Sequence, residues 1–140
     1  MPCFFCDIQK NDDRKVAESV FFNARFSEVP VSDGNCEIWP KEHRESWFEL
    51  NESEWSDLYS IIKEVKNKIE TKYKPDGYNV GFNVGVAGGQ SQKHIHIHVI
   101  PRYLGDVANP RGGVRNVIPA KGDYYKYILD TLPERKKYIN

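Results

Sequence analysis

Apolar residues recur along the chain at changing intervals, and each interval predicts an element. From Val20 to Trp39 two apolar stretches flank Pro30-Val31-Ser32-Asp33-Gly34. Proline and Asp-Gly punctuate turns, so the segment reads as strand, turn, strand. Asn51-Glu52-Ser53-Glu54 offers an N-cap residue with Glu three positions on, a capping-box start. Trp55, Leu58, Ile62, Val65 and Ile69 follow at intervals of three and four. They form one stripe of a helix that should stop before Pro75, with Asp76-Gly77 as the turn. The period then falls to two. Tyr78, Val80, Phe82 and Val84 alternate with Asn79, Gly81, Asn83 and Gly85, a half-buried strand. After Gly88-Gly89, the run His94 to Ile100 alternates again, with His94, His96 and His98 on one face and Ile95, Ile97 and Val99 on the other. These two runs predict an antiparallel hairpin with a short Gly-rich link, ended by Pro101. Gly105 to Gly122 reads as an ordered loop. Tyr125, Ile128, Leu129 and Leu132 predict a short terminal helix stopped by Pro133. Strands around one long helix make an α+β domain.

Composition narrows the function classes. The chain has 140 residues, one domain's worth, and its 20 Lys+Arg balance 20 Asp+Glu. A zero balance with no basic stripe argues against nucleic acid or an anionic membrane surface as partner. Hydrophobic residues make up 39%, and no apolar run approaches the length of a membrane helix. Met1-Pro2-Cys3-Phe4-Phe5-Cys6-Asp7 lacks the basic and apolar regions of a secretory signal. With that, the odd count of 3 cysteines points to a reducing, cytoplasmic setting. Cys3 and Cys6 form a C-x-x-C pair, which reads as metal or redox chemistry. Cys36 reads as a buried thiol.

The densest chemistry lies in the second alternating run. Three of the 4 histidines occupy alternate positions in one short window. Imidazoles in that arrangement can bind a metal, stabilise an anion, or do nucleophilic and acid/base work. Just upstream, Gly88-Gly89-Gln90-Ser91 combines glycines that let a ligand approach the backbone with an amide and a hydroxyl suited to oxyanions. Asn83 sits on the polar side of the preceding strand and can reach the same face.

His94-Ile95-His96-Ile97-His98-Val99-Ile100 resembles the H-φ-H-φ-H-φ-φ signature of the histidine triad (HIT) superfamily of nucleotide hydrolases and transferases. Three further segments agree: Gly89-Gln90-Ser91, Pro30 to Gly34 followed by Pro40-Lys41-Glu42-His43, and the Cys3-Phe4-Phe5-Cys6 opening of zinc-carrying members. The resemblance implies a HIT-like fold: a five-stranded antiparallel sheet, one long helix and short terminal helices, commonly as a homodimer. Residues 1–140 are then a single HIT domain, with 101–140 as a C-terminal extension of the core.

The activity implied is attack on the α-phosphate of a small-molecule nucleotide. His96 resembles the nucleophile that becomes nucleotidylated, and His98 the α-phosphate ligand. Asn83 matches a ribose or bridging contact; Gly89, Gln90 and Ser91 match the phosphate cradle. Cys3, Cys6, His43 and His94 make the Cys2His2 complement of a structural zinc site. Ser27 stands where the family usually has an Asp for the ribose hydroxyls. Glu28 is adjacent but should point the other way on a strand. Asn35 replaces a usual histidine.

The stretch from Pro101 to Arg115 resembles the tail of bacterial HIT hydrolases similar to diadenosine tetraphosphate hydrolases. Arg111 and Arg115 flank Gly112-Gly113, an expected anion-binding concavity for distal phosphates. The leading expectation is therefore a dinucleoside polyphosphate hydrolase. A nucleoside phosphoramidase, a phosphorylase and a non-catalytic nucleotide-binding protein are its rivals.

Overall fold

The structure is a computed structural model that describes residues 2–8 and 12–139. The chain divides into two compact units, residues 1–103 and 104–140.

The first unit holds a five-stranded antiparallel sheet. In chain order its elements are α1 (Phe4–Asp7), β1 (Lys15–Glu18), β2 (Phe22–Phe26), β3 (Cys36–Pro40), α2 (Glu52–Lys72), β4 (Gly77–Phe82) and β5 (Ile97–Arg102). The strand order is β1-β2-β3-β5-β4. β2 and β3 are joined through the Pro30 to Gly34 turn, where Gly34 has φ +85. A side chain at Gly34 would also meet the Tyr73 ring at 2.8 Å, so glycine is required twice over.

One face of the sheet carries the main core. Phe22, Ala24, Cys36, Ile38, Ile97 and Val99 pack against Leu58, Ile61, Val65 and Ile69 of α2. The predicted capping box is present: Asn51 Oδ1 accepts from the Glu54 N–H, and Glu54 Oε2 accepts from the Asn51 N–H, both at 2.9 Å. Burial of Glu54 opposes its charge, but these bonds and the Arg44 guanidinium hold its carboxyl below the usual range. The stripe differs from the expected one at two positions. Ile61 is 1% exposed, whereas Trp55 is 41% exposed and leans on Trp47. Spacings of three and four admit both Ile61 and Ile62; the sheet chooses Ile61, and Ile62 packs at the rim of the core.

β4 ends at Phe82, and it is an edge strand with Val80 and Phe82 partly exposed. The expected short link to β5 is instead residues 83–96, because β5 begins only at Ile97. Pro101 does not end that strand but lies within it, paired with Tyr78 of β4. It is tolerated because β3 pairs β5 only through Ile97, His98 and Val99. The Pro101 carbonyl accepts from the Ser32 hydroxyl on that vacated side, so the missing N–H faces no strand.

The second unit, residues 104–140, contains 3₁₀ turns at Gly113–Val117 and Pro119–Lys121 within the expected loop. The terminal helix α3 (Tyr125–Thr131) follows, with its cap at Leu132 before Pro133. Among the described residues no helix is long and apolar enough to cross a membrane.

Candidate active site

The opposite sheet face is built from the alternate residues of the same strands. Cross-strand register aligns Arg25 of β2, Glu37 of β3, His98 of β5 and Gly81 of β4 in one row. Above it α1 lays Phe5, whose ring sits 5.1 Å from Trp39 and 4.8 Å from His96 between ring centroids. A pocket of about 370 Å³ opens here. His96 and His98 line it from β5 and its approach, and Ser91 and Gln92 from the loop before it. Phe4 and Phe5 supply an aromatic wall, and Arg25, Glu28 and Glu37 a charged one.

The three triad histidines divide their work. His94 is 1% exposed and lies under α1 rather than in the pocket. Its Nε2–H donates to the Pro40 carbonyl at 2.8 Å, which leaves Nδ1 as a lone pair 3.3 Å from Cys3 Sγ and 3.5 Å from Cys6 Sγ. His43 Nδ1 lies 3.6 Å from Cys6 Sγ. Ligands of a tetrahedral ion stand about 3.5 Å apart when its bonds are about 2.0–2.3 Å long. The ligand atoms of Cys3, Cys6, His43 and His94 all lie within 4.8 Å of one another, so this donor set fits a metal ion.

His96 Nδ1 is 3.2 Å from the His94 carbonyl. A carbonyl only accepts, so Nδ1 carries the proton and Nε2 is the free lone pair. The His98 ring lies 4.8 Å from that of His96, at 77°. Burial, reinforced by the neighbouring His96, lowers the His98 pKa and favours its neutral form.

The loop 83–96 holds the phosphate-cradle residues, and only Ser91 of those named from the sequence lines the pocket. The Gln90 side chain is spent on the loop: its Oε1 accepts from the Gly85 N–H at 2.9 Å, and its Nε2 reaches the Glu45, Gln92 and Lys93 carbonyls. Gly88 is needed because a Cβ there would collide with the Val84 carbonyl oxygen, and Gly89 turns with φ +84. Asn83 stands past the end of β4, exposed, beside Gly89 and outside the pocket lining. The approach to β5 is fixed from the helix side, since Arg44 pairs with Glu54 and its carbonyl accepts from the Ile95 N–H.

Ser27 lies behind the pocket wall and donates to Glu37 Oε1 at 3.2 Å. Glu28 faces the pocket, contrary to strand alternation, because β2 has already ended at Phe26. In the second unit Arg115 donates to the Gly122 and Lys121 carbonyls, and Arg111 lies 3.9 Å from Asp123 and over the Tyr125 ring. Asn79 of β4 accepts from the Arg102 guanidinium. Missing from the sequence reading were Arg25, Glu37 and the two phenylalanines. The signal for the first two was present: a charged residue in each strand at the phase that faces away from the core.

A HIT domain model matches residues 9–105. The chain belongs to the HIT family. An adenosine 5′-monophosphoramidase of Schizosaccharomyces pombe is 35% identical to it over 104 residues, 73% of this chain and 75% of that protein. An asymmetrical bis(5′-nucleosyl)-tetraphosphatase of the same organism is 29% identical over 65% of this chain and 53% of its own length. Among solved structures, a zinc-bound histidine triad protein of Mycobacterium smegmatis superposes with a TM-score of 0.68 at 25% identity, covering 78% of this chain and 81% of that one. The observed sheet and helices are those of the HIT fold.

Proposed function

We propose that this HIT protein is a nucleotide hydrolase that attacks the α-phosphorus of a nucleoside 5′-phosphate derivative through His96. The observation that carries the reading is the His96 imidazole held by the His94 carbonyl, with its other nitrogen free beside the pocket. The Nε2 lone pair forms the N–P bond as the bond to the leaving group breaks. Water then attacks the same phosphorus, the N–P bond breaks, and His96 returns to its starting tautomer. His98 and the Ser91 hydroxyl supply the polar groups for the non-bridging oxygens, where charge must be stabilised. Loop rigidity from Gln90 keeps Ser91 in place.

Dinucleoside polyphosphates remain the substrate class expected from the sequence. Nucleoside phosphoramidates are the second reading, favoured by the fact that the Arg115 guanidinium is committed to carbonyls of its own unit. Cys3, Cys6, His43 and His94 would hold a zinc ion, which supplies a structural tie between α1 and the triad segment.

The test is a panel of diadenosine polyphosphates and adenosine phosphoramidates with product analysis, run beside acid-quenched mass spectrometry. A nucleotidyl adduct on the native chain, absent in His96→Ala together with loss of turnover by about 10³-fold or more, is the expected result. Turnover that survives His96→Ala would overturn the proposal.

A further inference from the structure

The acceptor that holds His96 is itself held. The His94 carbonyl, 3.2 Å from His96 Nδ1, belongs to the same peptide unit as the Ile95 N–H. A planar trans peptide turns as one body, so fixing one end sets the direction of the other. The Ile95 N–H donates to the Arg44 carbonyl at 2.9 Å. Residue 44 is tied in turn to α2, because Arg44 Nη2 donates to Glu54 Oε1 at 3.1 Å. Glu54 is 4% exposed, and the capping box fixes its other oxygen on the Asn51 N–H. The second carboxylate on Arg44, that of Glu42, is 70% exposed, and a solvated pair of that kind contributes little. The neighbouring Glu45 carbonyl accepts from Gln90 Nε2, so the same short segment also braces the loop that carries Ser91.

We infer that Arg44 and Glu54 are positioning residues for the reaction, aiming the His96 lone pair at phosphorus through the 94–95 peptide. The inference rests on the proposed attack by His96. Neither side chain lines the pocket, so both act through the backbone. The bonds run in one chain: Arg44 carbonyl, Ile95 N–H, His94 carbonyl, His96 Nδ1–H. Donation by the Ile95 N–H polarises its own peptide, which makes the His94 carbonyl a stronger acceptor and His96 Nε2 a richer lone pair. A loosened peptide lets the imidazole turn, and a misplacement of about 1 Å can slow a reaction by about 10²-fold. The pocket walls come from other elements, so the loss belongs in kcat rather than in KM.

The experiment uses Glu54→Gln, which keeps a capping-box acceptor for Asn51 but offers Arg44 no carboxylate. Diadenosine tetraphosphate and adenosine 5′-phosphoramidate are the substrates. Single-turnover formation of the His96 adduct should slow by about tenfold or more, with KM within about twofold of native. Hydrogen exchange of the Ile95 amide should quicken by about tenfold while the Val65 and Ile69 amides of α2 keep their protection. Arg44→Lys, which retains the cation, should stay nearer the native rate than Arg44→Met. An adduct rate within about twofold of native in folded Glu54→Gln overturns the inference and leaves the hydrolase reading intact. So does unchanged exchange at Ile95, or faster exchange spread evenly over α2, which marks a merely structural pair. No His96 adduct in the native protein on either substrate overturns both readings. If Glu54→Gln does not fold, the double variant Arg44→Met with Glu54→Gln, which leaves no buried charge unpaired, is held to the same criteria.

Discussion

At the scale of single residues, hydrogen-bond partners separate chemically identical side chains. His94 and His96 are both triad imidazoles, yet one donates through Nε2 and the other through Nδ1. The first therefore turns its lone pair to two thiols and the second leaves its own beside the pocket. His98 has neither partner, and burial dominates it. Its lowered pKa has a sign that can be worked through: below the ordinary histidine value of 6.5 the unfolded chain takes up a proton that the folded pocket resists. Stability from this residue is complete above that pH and declines as pH falls through it. Urea unfolding of the native protein and of His98→Gln across this range should show a shallower decline in the variant; identical slopes would disprove the assignment. Cys36 behaves as its reading from the sequence suggests, since burial pushes its thiol up to about 12. It should resist iodoacetamide in the native state at pH 8 and react only on unfolding.

At the scale of elements, α2 is legible because its signals are local. Its cap, its apolar stripe and its stop at Pro75 need only the sequence within and beside the helix. Which of two adjacent isoleucines faces the sheet is not local, and neither is the exposure of Trp55 at the start of the expected stripe. Ile61→Ala should cost about 2–5 kcal/mol in denaturant unfolding, the usual penalty for a buried truncation, whereas a large loss from Trp55→Ala would contradict its exposure. β5 teaches the complementary lesson. Alternation in the histidine run is real, but alternation alone does not say where pairing begins. Residues 94–96 lie outside the strand and are tied to Arg44 and α1 rather than to β4. Glu28 escaped for the same reason in reverse, because phase along a strand has no meaning once the strand has ended.

At the scale of the molecule, one aromatic turn couples two sites. α1 runs between Cys3 and Cys6, and its Phe5 packs on Trp39, His94 and His96 together. Four donors from three separate segments converge there, and a bound ion would replace loop entropy with covalent-strength ties. Removing metal from a zinc-loaded preparation should raise hydrogen exchange at residues 3–8 and 94–96, quench or shift Trp39 emission, and weaken nucleotide binding. Unchanged exchange at those segments would show that α1 holds its place without an ion. The charged row Arg25–Glu37–His98 is likewise a property of the assembled sheet, since its members are far apart in the chain and meet only through register.

Period and punctuation were sufficient for the α+β class, the long helix and the turn at Gly34, which depend on neighbours within a few residues. The family resemblance grouped Cys3, Cys6, His43 and His94 from three stretches of chain, and their ligand atoms lie within 4.8 Å of one another. Tertiary packing alone turned the Gln90 side chain onto its own loop and left Asn83 outside the lining. It also brought Glu37 and Arg25 to the pocket wall. Those outcomes depend on which backbone carbonyl lies within 3 to 4 Å of a side chain, and that distance is set by strand register and by where each strand stops.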